Sequence, residues 1–556
     1  MKNNQRMIFR VFFVALFFII SFICNAVSLT GEALQIFENV YHMNEREESF
    51  LTETLSDCDD TYLLDWYIYF CGEKDYRELP RLRDFYIEKR ACLEDELRKT
   101  FGSVDVSAFP IEQQKKFAEL LNVQLHNFFF KEYKADSDNF LEIVDYGRYN
   151  CVSSSILYVL LLSYFGVKAM PVQTTEHVFV VVYFPDGTTV DVETTNAYGY
   201  DPGKKKEVLD ELGKVTGFSY VKQKDYKNRF NISLKSLLLL PVHNRSAYFT
   251  KIGNHQAALR LASFLMLCRN DERGDSEFHI CYYNLLADLS SKHNFETELR
   301  LLYYYLENID AENVRIRKMR FQALTEMILS CNSDKDFENV QAFFDIEKSF
   351  CRTNEEKDFR LIEDAFYVSK VQFYYKNSRV ENAFKVILKI KDKKNKSILL
   401  RNAFAVINQN SIKTGDFDTG HDLLLLGRKF FPDSQEFSQA IMTFWNNYLV
   451  SFTQHGDYIR ALTLLEQEKD ELKEKDKLKL MQILYNSYAY SEYKEGRFLK
   501  AAEICVQASK VLGKEKVIME NMKVYYLNAL NQAKKVGDLK LETEIKNKMS
   551  VYFPDF

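Results

Sequence analysis

Hydrophobic and polar positions along this chain follow two different periods. Over most of its length apolar residues recur every three to four positions, the spacing of one helix face. The stretches LPRLRDFYIEKRACLEDELRKTF (79–101) and IEQQKKFAELLNVQLHNFFFKEY (111–133) both do so, with Pro80 and Pro110 breaking the region into pieces. Region 27–145 therefore reads as helical, and nothing in its residues points to chemistry. Between 146 and 240 the pattern changes. CVSSSILYVLLLSYFGV is a nearly continuous apolar helix closed by Gly166. HVFVVVYF follows as a β-branched and aromatic run, which predicts a strand. Pro185-Asp186-Gly187 is a turn signal, and TTVDVETT then predicts a second strand. The order helix, strand, turn, strand is that of an α+β unit, and GYDPGKKK (199–206) reads as a loop.

From 245 to 556 the helical period returns and a longer one is laid over it. Gly415-Asp416-Phe417, Gly456-Asp457-Tyr458, Gly496-Arg497-Phe498 and Gly537-Asp538-Leu539 are spaced by 41, 40 and 41 residues. Looser copies stand at Gly253-Asn254-His255, Asn294-Phe295, Asp336-Phe337 and Arg379-Val380. A small residue follows the glycine by five at Ala258, Gly420, Ala461 and Ala501. Glycine permits a tight turn between helices, the aromatic residue staples the second helix, and the small residue lets the pair approach. One such hairpin cannot bury its own face, so the units must stack into a solenoid.

Composition fits this reading. There are 8 Pro and 19 Gly in 556 residues, well below the usual ~5% and ~7%, as a mostly helical chain requires. Apolar residues make up 46%, ample for several cores, which excludes a disordered chain. With 74 basic and 79 acidic residues the net charge is −5, and no long basic block marks a nucleic-acid binder. The first 26 residues stand apart. Lys2, Arg6 and Arg10 precede an apolar run from Val11 to Cys24, and Ala26 ends a small-residue cleavage pattern. This predicts a cleavable signal peptide over 1–26 and an exported protein of the periplasm or cell envelope. The run is short for a spanning helix, so a membrane contact would come through an uncleaved anchor. Nine cysteines follow that segment, none in a zinc spacing. Most read as small buried residues, with Cys58–Cys71 or Cys71–Cys92 as possible disulfides.

One constellation could carry chemistry. Cys151 opens the apolar helix, after Asn150 and before Ser153-Ser154-Ser155. A thiol becomes a good nucleophile once deprotonated, and the N–H groups and dipole of a helix start favour thiolate. The same N–H groups could hold an oxyanion. His177 opens the first strand and could exchange a proton with the thiol. Asp191, Glu193 and Asn196 lie on or just after the second strand, where one of them could fix the imidazole tautomer. The length of the turn at Asp186-Gly187 decides which. Two residues would pair His177 with Asn196, whereas three would return both acids to the histidine's face.

On these residues the stretch from about 128 to 200 resembles the transglutaminase-like superfamily. YGRYNCVSSSILYVLLLSYFGV supplies a Cys-led, Gly-ended helix, HVFVVVYF a strand-borne histidine, and VDVETT an acid followed by threonine. The resemblance implies a papain-like α+β core over 146–240. In it Cys151 is the nucleophile, His177 the general base and acid, and Glu193 (then Asp191, then Asn196) the orienting group. It implies acyl transfer or hydrolysis at an amide through a thioester, with no metal and no cofactor. The Trp positions common in that family are absent, since Trp occurs at 66 and 445. The repeats resemble tetratricopeptide repeats, whose turn reads Gly-x-[Tyr/Phe]-x-x-Ala. GDYIRA (456–461) and GRFLKA (496–501) match it, with a period near 40 where ~34 is usual. The chain therefore reads as an exported thiol enzyme with a helical N-terminal extension and a repeat solenoid (245–556) that binds a protein or peptide. The alternative is a non-catalytic envelope scaffold with a degenerate transglutaminase-like domain. No phosphate loop or HExxH motif occurs.

Overall fold

The computed structural model describes residues 31–41, 43–55, 58–175, 177–202, 228–269, 272–468 and 471–554. The export segment expected over 1–26, and Gly203 to Lys206 of the expected loop, lie outside the described residues. Among the described residues no helix is long and apolar enough to cross a membrane. The chain is mostly helical and divides into two compact units, Met1–Ile316 and Arg317–Phe556. All nine described cysteines are free thiols, so neither Cys58–Cys71 nor Cys71–Cys92 is bridged.

In the first unit the helices that bear on the site are α1 (Gly31–Tyr41), α2 (Asp60–Cys71), α3 (Leu79–Phe101), α4 (Ile111–Phe129) and α5 (Cys151–Tyr164). Pro80 occupies the first turn of α3 and Pro110 the N-cap of α4, where a missing N–H costs nothing. α5 is buried on every side from Val152 to Leu162, as its continuous apolar sequence demands. β1 (Glu132–Tyr133) pairs in parallel with β2 (Arg148–Tyr149) just ahead of α5. Four further strands form an antiparallel sheet in the order β5-β4-β3-β6: β3 (Ala169–Gln173), β4 (Val178–Tyr183), β5 (Thr189–Val192) and β6 (Phe230–Asn231). Val178, Val180, Val182 and Val192 join α5 in the main core, while Val172, Phe179 and Val181 pack on the other face. The expected strands are β4 and β5. β3 was hidden by Pro171, which has no N–H for a ladder and offers only its carbonyl, to which Ile232 N–H donates at 3.0 Å. After β5 the chain loops and returns. Val192 bridges Tyr200 in antiparallel fashion, and Asp201 N–H donates to Asp191 O at 2.9 Å.

Helical hairpins begin at Leu240–Lys251 and His255–Arg269, close to the expected boundary of 240–245. The unit boundary falls later, inside Val314–Ser330, because α1 packs on His255–Arg269 and Phe295–Asn308. The rings of Phe37 and Tyr304 meet at 4.5 Å there.

The second unit stacks hairpins such as Gln435–Thr453 with Tyr458–Gln467 and Glu474–Lys494 with Phe498–Leu512. Each signature glycine takes the left-handed conformation that ends a helix, with φ of 74° at Gly415, 77° at Gly456, 73° at Gly496 and 75° at Gly537. Two of the looser copies use the same geometry without glycine, at His293 in the first unit (φ 57°) and Ser378 in the second (φ 56°), while Gly253 keeps the glycine (φ 78°). The aspartate after the glycine caps the next helix: Asp457 accepts from Arg460 N at 3.3 Å and Asp538 from Leu541 N at 2.9 Å. The aromatic position stacks on the following helix, Phe417 on Tyr448 at 5.1 Å and Tyr458 on Tyr488 at 4.9 Å. Ala461 and Ala501 are fully buried. This unit also buries an ion cluster. Arg320, fully buried, meets Glu347 at 2.9 Å and Glu355 at 2.7 Å, and Arg317 meets Glu355 at 3.2 Å.

Candidate active site

The start of α5 is built by Asn150. Its Oδ1 accepts from Val152 N at 2.9 Å and Ser153 N at 3.1 Å, while its Nδ2 donates to Ala135 O at 3.0 Å. Ser153 completes the capping box through Asn150 N–H at 2.9 Å. This fixes Cys151, half-buried, as the first helical residue. The cap also changes the expected oxyanion site. The N–H groups of Val152 and Ser153 are spent on Asn150, which leaves the Cys151 N–H as the helix-start donor.

His177 stands between β3 and β4, with Thr174 N–H on its carbonyl at 2.8 Å. Its Nε2 lies 2.6 Å from Glu193 Oε2, with 14% and 15% of the two side chains exposed. Burial alone would pull the imidazole down. The charge of Glu193, together with hydrogen bonds to Cys151 and Glu193, outweighs it and raises the ring from 6.5 to about 10. Glu193 is pushed up by burial, yet His177 and Thr195 outweigh that and hold it below the usual carboxylate range. Its second oxygen is tied down by Thr195, through N–H at 3.2 Å and Oγ1 at 2.7 Å. The structure thus brings Cys151, His177 and Glu193 together.

The other two candidates are elsewhere, and register explains it. Phe184 N–H donates to Thr188 O at 3.0 Å, so the turn is the three-residue Pro185-Asp186-Gly187. That puts both acids on the strand face of His177, but Asp191 lies opposite Val181, well along the strand. It pairs with Arg229 at 2.5 Å. Asn196 turns its side chain back to accept from Tyr198 N at 2.9 Å. Gly199 is needed here for close approach. Its N–H donates to Asn196 O at 2.9 Å, and a Cβ on it would stand 2.0 Å from the Glu193 carbonyl oxygen.

Residues of 27–145, a region whose sequence points to no chemistry, also lie beside the site. His126 on α4, Asn122 one turn earlier, and Tyr133 on β1 all reach the site. The phenol of Tyr133 is raised to about 12, by burial first and then by Cys151 and Glu193. His126 Nε2 contacts Thr194 O at 2.9 Å, and burial lowers its ring to about 4. A signal was available: Asn122 and His126, four apart, interrupt the apolar stripe Leu121, Leu125, Phe129.

No family model matches the chain, and no curated protein matches it. Among solved structures it is similar to the P58(IPK) TPR domain, at 13% identity over 60% of this chain and 86% of that one, with a TM-score of 0.15. It is similar to menin, in the structure that reveals its binding site for the Mixed Lineage Leukemia protein, at 10% identity over 77% and 92%, with a TM-score of 0.22. A circular tandem repeat protein gives 11% over 89% and 95%, with a TM-score of 0.13. These scores are too low to place the chain in any of those folds, and the helical repeats rest on the hairpins described above.

Proposed function

We propose that this chain is an exported helical-repeat scaffold whose first unit carries a transglutaminase-like thiol site for acyl transfer or hydrolysis at an amide. The observation that carries the reading is the 2.6 Å contact of His177 Nε2 with Glu193, in a ring whose proton Cys151 also helps to hold. With Nε2 on the acid, Nδ1 is the nitrogen left for the thiol. The Cys151 thiolate attacks the amide carbonyl carbon, and the C–S bond forms as charge moves to oxygen. The Cys151 N–H faces that charge. Protonated His177 gives its proton to the leaving nitrogen, the C–N bond breaks, and a thioester remains. Water or an amine then attacks while His177 takes its proton, and the thiolate leaves. Glu193 stays ionised throughout and holds the ring. The repeats supply the surface for a protein or peptide partner.

The test is the iodoacetamide reaction of Cys151 at pH 6, followed by peptide mass spectrometry. Fast alkylation that is lost in His177→Ala and reduced in Glu193→Gln supports the reading. Equal rates in all three proteins would sink it. A second reading, a scaffold without turnover, draws support from Asn150, whose side chain occupies two of the helix-start donors. It predicts fast alkylation without hydrolysis of any amide or ester substrate.

A further inference from the structure

We propose that Asn122, His126 and Tyr149 form a carbonyl clamp, three positioning residues that hold Glu193 against His177. The proposal rests on the thiol-site reading for its purpose and on separate contacts for its existence. After Glu193 the chain leaves β5 and turns across the start of α5. Four successive carbonyls of that turn each accept a side-chain bond. His126 Nε2 lies 2.9 Å from Thr194 O, and because a carbonyl can only accept, Nε2 carries the proton. The Tyr149 hydroxyl donates to Thr195 O at 3.0 Å. Asn122 Nδ2 donates to Asn196 O at 2.8 Å and to Ala197 O at 3.1 Å. The Thr194 hydroxyl is gripped as well, 2.9 Å from Ser154 Oγ and 2.9 Å from Ser155 Oγ.

Surface turns usually leave their carbonyls to water. Here the donors come from α4 and β2, and bringing them in has a cost. Asn122 is fully buried, and its Oδ1 has no hydrogen-bond partner among the described residues. A stranded acceptor of that kind is unfavourable, because it has given up its bonds to water. The fold tolerates it because the opposite end of the same amide fixes two carbonyls. Glu193 is locked into the clamped turn by its own backbone: its N–H donates to Gly199 O at 2.8 Å, and its carbonyl accepts from Asn196 N at 3.3 Å. Releasing the carbonyls lets the backbone of Glu193 drift, and its carboxylate with it.

The experiment is the NMR titration of the His177 ring in the full chain, with thermal unfolding measured in parallel. The variants are His126→Leu, Tyr149→Phe and His126→Gln, with Glu193→Gln as the reference for a lost acid. The clamp predicts a His177 titration lower by about one pH unit or more in the first two variants, moving toward Glu193→Gln. It predicts recovery in His126→Gln, whose amide N–H replaces the ring N–H. A merely structural role would lower the melting temperature and leave His177 titrating as in the wild type, and that result overturns the clamp. If His126→Leu does not fold, Tyr149→Phe decides, because it removes one oxygen. The two readings fail separately. Slow Cys151 alkylation at pH 6 in the wild type, with His177 still shifted by the clamp variants, removes the thiol chemistry and keeps the clamp. Fast alkylation with an unmoved His177 does the reverse.

Discussion

The candidate site and the second unit bury polar groups in opposite ways. Around the candidate site the buried polar residues are mostly neutral, among them Asn122, Asn150, Ser153, Ser154, Ser155, Thr194 and Thr195. They spend their bonds on the backbone, capping a helix or holding carbonyls. The second unit buries few polar side chains, and its deepest are two charges that face each other, Arg320 and Glu347, with the partly exposed Glu355 beside them. A neutral side chain on a carbonyl fixes where a backbone segment lies. A buried ion pair fixes which helices may meet, and is costly when one partner goes. The first arrangement suits a site that must hold one acid within hydrogen-bond reach of one ring. The second suits an array whose task is to stack in a single register.

That contrast can be broken, and the largest effect lies in the second unit. Arg320→Met leaves Glu347 buried without its cation and should cost about 3–5 kcal/mol in urea unfolding, while Cys151 alkylation stays at the wild-type rate. An equal loss in the first unit would erase the distinction. Next comes pH. In the unfolded chain His177 titrates near 6.5, and in the fold it is raised to about 10. Its protonated form therefore stabilises the first unit in full below 6.5, and that contribution is lost as the pH rises toward 10. Unfolding of the first unit should become easier from pH 7 to 10 in the wild type and much less so in Glu193→Gln. A flat profile in both would mean the pair is not coupled to folding. Gly199→Ala sets a methyl against the Glu193 carbonyl and should slow alkylation at pH 6 by about ten- to a hundredfold, with little change in the second unit. The smallest effects are paired. Gly456→Ala should destabilise the repeats by about 1 kcal/mol, whereas Ser378→Gly should be neutral or stabilising. Both are read as shifts of the urea midpoint. Opposite signs would show that the two turns share one backbone geometry.

The sequence made the repeats legible because one chemical requirement recurs. The left-handed turn favours glycine, and the copies at 415, 456, 496 and 537 could be read directly. His293 and Ser378 take the same turn without glycine, so their copies looked loose. The candidate site was legible in its types and order: Cys151 at a helix start, His177 at a strand start, an acid sixteen residues on. Choosing Glu193 over Asp191 and Asn196 needed the turn length, and a one-residue change there exchanges the faces of a strand. The clamp was harder to see. It joins residues 122–149 to 194–197 across long stretches of chain, and carbonyl partners leave no mark on residue identity. β3 and β6 were missed for local reasons, a proline in one and a length of two residues in the other.

The return of the chain after Glu193 also bears on self-association. β5 would be an outer strand with its hydrogen-bonding groups open to any passing copy. The Val192–Tyr200 bridge and the Asp201–Asp191 bond lay a short fifth rung along it, so the segment that delivers the acid also blunts an edge on which strands could add from another molecule. Loosening that rung would expose a template for aggregation at the same stroke as it released Glu193, which ties the solubility of this protein to the integrity of its candidate site.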